Sequence, residues 1–569
     1  MIGDVAEIVP KGAGMADPQS PTTFGDLIRE RRFSAQQIWD AAEARLDRPI
    51  SEGLNTAHEV CDRWARDRAR IALIVRDADG TSTRWTYAEL SRASSRLATA
   101  WRSDGVQRGD RVCAILPQQI EAYIAALAAW RAGVIYVPLF VGFGPEALSQ
   151  RISASEPALV VVDHRYRDNL TAAHQHLDGD PVVYTVGADH GAAPRSHDRD
   201  FWNAIDAHPA ECSAVATASA EPATIIFTSG TTGAPKACVQ PHSLLLTIHP
   251  FLRHVLALGP GDMLFSGANP GWSYGLYGVG VGPMSLGFPH VVYSGDFDPK
   301  QWLRIFEEEQ ITYVAAAPSA FRRLTTEAEE LGLPASIRGA TCAGEPLDAA
   351  LAQAWKALSG NDLQDVYGQS ECGLLLGCLD GDDTPPAAGA LSSTIPGFEV
   401  DLVDEHGTVQ VDEGIIALRR TRYQASIGYR NADEQWAARW RGEYFLTGDL
   451  ARRDAQGRMW FTGRADDLIV TSGYNVGPTE IENIILAHPG VEDAAVVGAA
   501  DPKRGTVVRA VVVLSGRTPA QQVSDDIKQE VKTKIGRHAY PRIIDFVDQL
   551  PRTETGKIRR GALRAQTGP

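Results

Sequence analysis

Short apolar runs alternate with amphipathic stretches along the first part of the chain. Residues 111–116 (RVCAIL), 134–138 (VIYVP) and 158–163 (ALVVVD) are too short for helices and rich in β-branched side chains. They predict buried strands. Residues 118–131 and 146–153 predict helices, so the segment reads as parallel β-α-β units. Upstream, 55–70 (NTAHEVCDRWARDRAR) shows helical spacing at Val60, Trp64 and Ile71. Thr86 predicts the N-cap of a helix that Gly105 ends. Residues 185–220 are polar and read as connector. Residues 242–258 predict a helix kinked at Pro250, with an apolar stripe of Leu245, Ile248, Leu252 and Leu256. His249 falls on that face, as a core residue or as the wall of a binding pocket. Strand-like runs recur at 288–293 and 313–317. Residues 269–284 are glycine-rich with Trp272, Tyr274 and Tyr277 interleaved. The last hundred or so residues read as strand, helix, strand, helix and a basic tail, with a boundary in 463–467. Residues 1–22 are rich in Gly, Pro and Ser and are expected to be loosely ordered.

Residues 224–236 (TIIFTSGTTGAPK) change this picture most. Ile225, Ile226 and Phe227 suit a buried strand. Thr228, Ser229, Gly230, Thr231, Thr232 and Gly233 then place hydroxyls and glycines in one loop, closed by Lys236. Glycine lets backbone N–H groups approach a charged oxygen, and successive N–H groups form an anion-binding concavity. A plain serine/threonine turn is the bland alternative. A Walker loop is not, because that motif needs Lys directly after Gly, and Ala234 and Pro235 intervene here.

Composition narrows the choice without deciding it. The 569 residues are 44% hydrophobic and 22% charged, an ordinary globular balance. The formal charge of −16 argues against nucleic acid as a partner, so anionic ligands must be held by local donors. Seven cysteines, scattered and odd in number, suit reduced thiols in the cytoplasm. Cys372 and Cys378 lack the paired spacing of a zinc site. Asp4, Glu7 and Lys11 interrupt any signal-like apolar run. The most apolar stretch, 123–143, carries Arg131 and glycine and proline breaks, so no membrane span is expected.

The string TSGTTGAPK resembles the phosphate-binding signature of the acyl-adenylate-forming superfamily, which includes acyl-CoA synthetases, luciferases and peptide-synthetase adenylation domains. Further strings follow in the family's order. Residues 365–371 (DVYGQSE) resemble its Tyr-Gly-x-Thr-Glu motif, with Ser370 in place of Thr. The resemblance makes Glu371 the Mg²⁺ ligand, a role that suits a hard cation's taste for oxygen. It lays Tyr367 against adenine, with Asp365, Gly368 and Gln369 beside the nucleotide. Gly344, Glu345 and Pro346 resemble the adenine-contacting loop. Residues 445–450 (FLTGDL) and 463–469 (GRADDLI) resemble further family strings, and the resemblance implies Asp449 and Arg464 on the ribose and Asp466 at the hinge. Residues 550–558 (LPRTETGKI) carry Lys557 at the position of the family's adenylation lysine, whose charge stabilises the negative charge building at the α-phosphate. Read alone, each of these strings is an ordinary surface turn, ion pair or solvated lysine.

The likeness spans roughly residues 55–565 and implies an α/β fold. A large N-terminal domain (51–463) holds parallel and mixed sheets with flanking helices and a β-barrel-like subdomain. A small mobile α+β C-terminal domain (464–569) brings in Lys557, and residues 1–50 stay unassigned. The implied chemistry has two half-reactions: a carboxylic acid and MgATP give acyl-AMP and pyrophosphate, then a thiol displaces AMP. Coenzyme A is the expected thiol, because 471–477 (TSGYNVG) resembles the segment lining the pantetheine tunnel, with Gly473 and Tyr474 beside it. Asn475 stands where acetyl- and medium-chain synthetases usually carry Arg. Lys532, on a predicted helix over 525–534, is a candidate for the CoA nucleotide phosphate or a solvated charge. His249, Trp272, Ser273, Tyr274, Ala343 and Gly368 are the expected acyl pocket, with glycine at 368 opening it where acetate-specific relatives carry Trp. Flat walls suit an aromatic, benzoate- or aminobenzoate-like acid, or a medium-chain one. The expected protein is a cytoplasmic monomer or homodimer. The competing readings are an enzyme loading a carrier-protein thiol and a non-catalytic nucleotide-binding protein of the same fold.

Overall fold

The computed structural model describes residues 34–174, 181–187, 197–228, 235–380, 387, 389–465, 467–471, 474–501, 505–516, 518–536, 539–552 and 558–565. The expectation of loose order for residues 1–22 lies outside them.

The alternation of apolar side chains along each strand builds the layering. In the strand Leu159–Asp163, Leu159 and Val161 enter one core while Val160 and Val162 enter another. The strand Arg111–Ile115 divides the same way, Val112 and Ala114 against Cys113 and Ile115. Such strands are apolar throughout because both faces are covered. They belong to an eight-stranded sheet ordered Gly428–Tyr429, Lys236–Pro241, Pro222–Thr228, Ile135–Pro138, Arg111–Ile115, Leu159–Asp163, Val182–Val186, Arg199–Asp200. A nine-stranded sheet runs Ser393–Thr394, Gly373–Gly377, Leu363–Gln369, Gly339–Ala343, Tyr313–Ala316, Leu264–Ser266, His290–Tyr293, Ile71–Arg76, Ser82–Thr86. The helices Tyr87–Ser103, Ile120–Ala132 and Leu244–Phe251 share one core with the inner faces of both sheets. Separate cores close the two outer faces under further helices.

Several expectations hold in detail. Thr86 caps its helix, accepting from Glu89 N while the Glu89 carboxylate accepts from Thr86 N, a reciprocal capping box. Past its end, Gly105 takes the left-handed φ of +92° that favours glycine. Pro250 sits inside the predicted helix, which passes into wider π turns over Leu252–Leu256. Others change. The helical spacing of 55–70 survives only to Asp62, and Ile71 opens a strand. The polar connector, 185–220, starts at the end of the strand Val182–Val186 and contains the strand Arg199–Asp200 and the helix Phe201–Ala207. The helix expected over 525–534 starts earlier, at Ala520.

An antiparallel six-stranded sheet, from Val400–Val403 to Met459–Arg464, stands where the barrel-like subdomain was expected. The chain then builds smaller units with their own cores. These are a hairpin (Ile469–Thr471 with Tyr474–Val476), a three-stranded sheet and the helices Pro478–Leu486 and Ala520–Lys534.

The N-terminal helix Ala35–Glu43 lies across the large domain. Trp39 meets Phe398 and Tyr423 edge-on, with centroids at 5.3 and 6.0 Å. Tyr423 donates to Glu43, and Arg422 pairs with Asp40 and Glu43. Ala42 and Leu54 pack on Leu246 of the helix Leu244–Phe251.

Candidate active site

In a parallel sheet, ligands collect beyond the carboxyl ends of the strands. Thr228, Ala343 and Gln369 all stand at such ends. Strand Pro222–Thr228 turns back antiparallel as Lys236–Pro241, with Thr228 opposite Lys236. Both mouths of the hydroxyl-rich loop are therefore fixed in register. Ser229, Gly230, Thr231, Thr232 and Gly233 lie outside the described residues.

Glu371 follows the strand Leu363–Gln369 and reaches this mouth. Its Oε1 accepts from Thr228 Oγ1 at 3.0 Å and from Tyr429 OH at 2.9 Å. Its Oε2 has no hydrogen-bond partner among the described residues. The Lys236 ammonium lies 5.4 Å from the Tyr429 ring centroid, with no carboxylate partner among the described residues. Tyr429 thus joins the two charges. A single carboxylate with a spare oxygen, among hydroxyl donors, fits Mg²⁺ that takes its other ligands from phosphate and water. Among the described residues no three acidic, His or Cys side chains gather as a complete metal cage.

A second cluster forms around Asp449, which the strand Tyr444–Arg453 places directly opposite Arg464. Asp449 Oδ1 accepts from Arg464 Nη1 at 2.9 Å. Its Oδ2 accepts from Tyr367 OH at 2.7 Å and Gln369 Nε2 at 2.6 Å. Gln369 also donates to the Thr447 carbonyl, as does Arg439. Five side chains from three strands and a loop are therefore locked together. Burial and the Asp449 charge push the Tyr367 phenol well above its usual range, so it stays a donor. Asp365 is buried on the same strand, and loss of water raises its carboxyl to about 7 despite backbone N–H donors at Leu347 and Val366.

The acyl side is built from the segment after Asn269. Tyr274 OH meets Thr341 Oγ1 at 2.8 Å, and Ala343 lies two residues on along the same strand face. Phe251 faces Tyr274 edge-on at 6.4 Å. Trp272 is half-buried against the same core. His249 is buried on the helix Leu244–Phe251, as its reading as a core residue has it, and the Arg45 and Arg63 charges reach it there. Burial first, then those charges, lower its imidazole to about 3 and keep it neutral. At Gly368 the backbone itself calls for glycine. A Cβ there would stand 2.1 Å from the Gly373 carbonyl oxygen, so the glycine serves a close backbone approach.

Gly344 takes a φ of +93° at the turn after Ala343, and Glu345 accepts from Ser319 N at 3.2 Å, tying that loop and Pro346 to the start of the preceding helix Pro318–Leu331. Lys532 lies 4.3 Å from the centroid of the Tyr540 ring in the C-terminal part, where none of the described nucleotide-site residues joins it. Asp466, Gly473 and Lys557, and the side chain of Tyr474, lie outside the described residues. The sequence reading missed Tyr429, Arg439 and Phe251. Tyr429 belongs to a two-residue strand, too short for a periodic signal. Phe251 could have been found from the helical period once Tyr274 was known.

Two helix-flanked sheets whose strand ends gather a phosphate-loop lysine, a lone carboxylate and an Asp–Arg pair define an adenylate-forming class of enzyme. Residues 60–429 match the family model of the AMP-binding enzymes, and residues 480–557 match that of the AMP-binding enzyme C-terminal domain. The chain is 30% identical to the mitochondrial acyl-coenzyme A synthetase ACSM4 of Rattus norvegicus, across 93% of this chain and 94% of that protein. It is similar to the crystal structure of a Brucella canis acyl-CoA synthetase, with TM-score 0.73 and 33% identity over 94% of this chain and 97% of the other. A benzoate CoA ligase from Burkholderia xenovorans matches with TM-score 0.79 and 27% identity, over 90% and 99%. The chain belongs to the AMP-binding enzymes of the acyl-adenylate-forming superfamily, in the acyl-CoA synthetase branch. It is an ATP-dependent, AMP-forming acid–thiol ligase.

Proposed function

We propose that this enzyme converts an aromatic, benzoate- or aminobenzoate-like acid, or a medium-chain one, to its CoA thioester through an acyl-AMP. The observation that carries the reading is three groups of side chains, two at strand ends and one on helical segments tied to the strand Gly339–Ala343 through Tyr274 and Thr341. Thr228, Tyr429 and Glu371 form one, Tyr367, Gln369, Asp449 and Arg464 the second, and Tyr274 with Phe251 the third. The first suits phosphates, the second a nucleoside and the third a flat or extended apolar acid.

In this reading a carboxylate oxygen of the acid attacks the α-phosphorus, and pyrophosphate leaves. Glu371 would hold Mg²⁺, which would supply charge neutralisation for the phosphate oxygens. Lys236 and the 228–233 loop hold the leaving phosphates, and Asp449 with Arg464 orients the ribose. Lys557 offsets the charge that builds at the α-phosphate. The thiolate of CoA then attacks the acyl carbonyl, and AMP leaves with the electron pair. We place the division between the two domains at 463–467, with Asp466 as hinge, and Gly473 and Tyr474 beside the pantetheine. Seven buried free cysteines support a reducing, cytoplasmic setting. No helix among the described residues is long and apolar enough to cross a membrane.

The test is pyrophosphate release across a panel of carboxylic acids, with and without CoA. Benzoates or medium-chain acids are expected to lead, and a wild-type enzyme that releases pyrophosphate with none of them overturns the reading. Lys557→Ala is expected to lower adenylation on the order of 10²–10³-fold while leaving thioester formation from supplied acyl-AMP intact.

A further inference from the structure

We propose that Ser273 donates a hydrogen bond to the carboxylate of the acid, and that Gln240 is the positioning residue that turns the Ser273 hydroxyl toward it. This rests on the ligase reading above and deepens it. Gln240 is fully buried on the strand Lys236–Pro241, which carries Lys236 at its start. Its amide nitrogen donates to Ser273 Oγ at 2.8 Å and to the Ser370 carbonyl at 3.0 Å.

The orientation of that amide follows from chemistry. A flipped amide would set its own oxygen against the Ser370 carbonyl, acceptor against acceptor. The –NH₂ therefore faces both partners, and Gln240 Oε1 is left buried with no partner among the described residues. An unpaired buried acceptor is costly, so the fold gives up one hydrogen bond to keep this orientation. The consequence falls on Ser273. Its oxygen accepts from Gln240, so its own proton must go elsewhere, and no described residue accepts it. Ser273 stands between Trp272 and Tyr274, and Ser370 directly precedes Glu371. The free O–H is thus held where an acid in the aromatic pocket comes up to the phosphates. A carboxylate oxygen is the acceptor that suits it, and a donor bonded to a charged group is among the stronger hydrogen bonds.

The experiment measures pyrophosphate release with the best acid of the panel. The proteins are wild type, Ser273→Ala, Ser273→Thr, Gln240→Met and the double variant Ser273→Ala/Gln240→Met. Met keeps the volume and removes the amide. Ser273→Ala is expected to lower kcat/KM for the acid on the order of ten- to a hundredfold, with KM for ATP unchanged. Ser273→Thr should restore most of it. Gln240→Met should give a loss similar to Ser273→Ala, and the double variant no more than the larger single, as for two residues acting through one contact. Wild-type acid kinetics in Ser273→Ala overturn the proposal. So do losses that multiply in the double variant, or a Gln240→Met effect falling equally on acid and ATP. Should Gln240→Met fail to fold, the Ala/Thr pair at 273 still decides. A wild-type enzyme that releases no pyrophosphate with any acid is a different result and removes the ligase reading itself.

Discussion

Asp365 shows what burial does to one residue beside this site. Its folded-state value of about 7 stands above the ordinary 3.8. The folded protein therefore holds a proton there that the unfolded chain has already lost. The stability from that neutral carboxyl is complete below about pH 4 and disappears as pH rises through about 7. Asp365→Asn keeps the neutral shape at every pH. Thermal melts of the two proteins are expected to agree at pH 4 and diverge by pH 8, with the variant melting higher; parallel curves would refute a raised Asp365. At this scale much of the site was legible. Tyr367, Gln369, Glu371, Asp449 and Arg464 each sit in a short string that resembles a family motif, and the resemblance, not the string read alone, gave each its role. Tyr429 and Gln240 were not legible, because what they do depends on partners far along the chain. His249 is buried, which bears out its reading as a core residue, and the Arg45 and Arg63 charges that reach it come from far along the chain.

That segment is the element the sequence said least about. The helix Ala35–Glu43 is short, and nothing in its own pattern names the surface it covers. Yet Trp39 is 2% exposed between Phe398 and Tyr423, and Ala42 with Leu54 backs Leu246 on the helix whose other side carries Phe251. The element therefore acts at one remove on the acyl pocket. Trp39→Ala should cost about 3–5 kcal/mol, seen as a lower thermal midpoint. It should also raise KM for the acid while leaving KM for ATP unchanged. An unchanged midpoint would mean that this helix packs loosely. Other elements escaped for simpler reasons. The strand Val182–Val186 is strongly β-forming, but it is short and runs directly into the polar stretch 185–220, which hides its end. The pattern Val60, Trp64, Ile71 mixed one helical turn with the first residue of a strand.

For the whole molecule, the alternation of runs revealed parallel layers but could not sort strands between two sheets. The strand Ile71–Arg76 pairs with His290–Tyr293, and no local signal reports such a distant neighbour. What joins the two ends of the molecule is also a matter of packing. Gly477 fits against the Thr462 carbonyl, where a Cβ would stand 2.5 Å from the oxygen, and Gly463 meets Pro478. Beyond these, Arg452 and Glu480 form an exposed ion pair at 3.4 Å, a contact worth little. Contacts of this kind can be broken and remade at small cost, which suits the pivot proposed above. On the C-terminal side, by contrast, Arg564 and Arg560 hold Asp467, and Arg560 grips the buried Glu482. The segment after Lys557 is thereby tied to the residue after the proposed hinge, and the lysine should move with the domain as one body. Stiffening Asp466 therefore ought to separate the two half-reactions. Asp466→Pro is expected to leave acid-dependent pyrophosphate exchange within a few-fold of wild type. Thioester formation from supplied acyl-AMP should fall roughly a hundredfold or more, the scale of loss when reacting groups cannot align. Equal loss in both assays would mean that the pivot lies elsewhere in the chain.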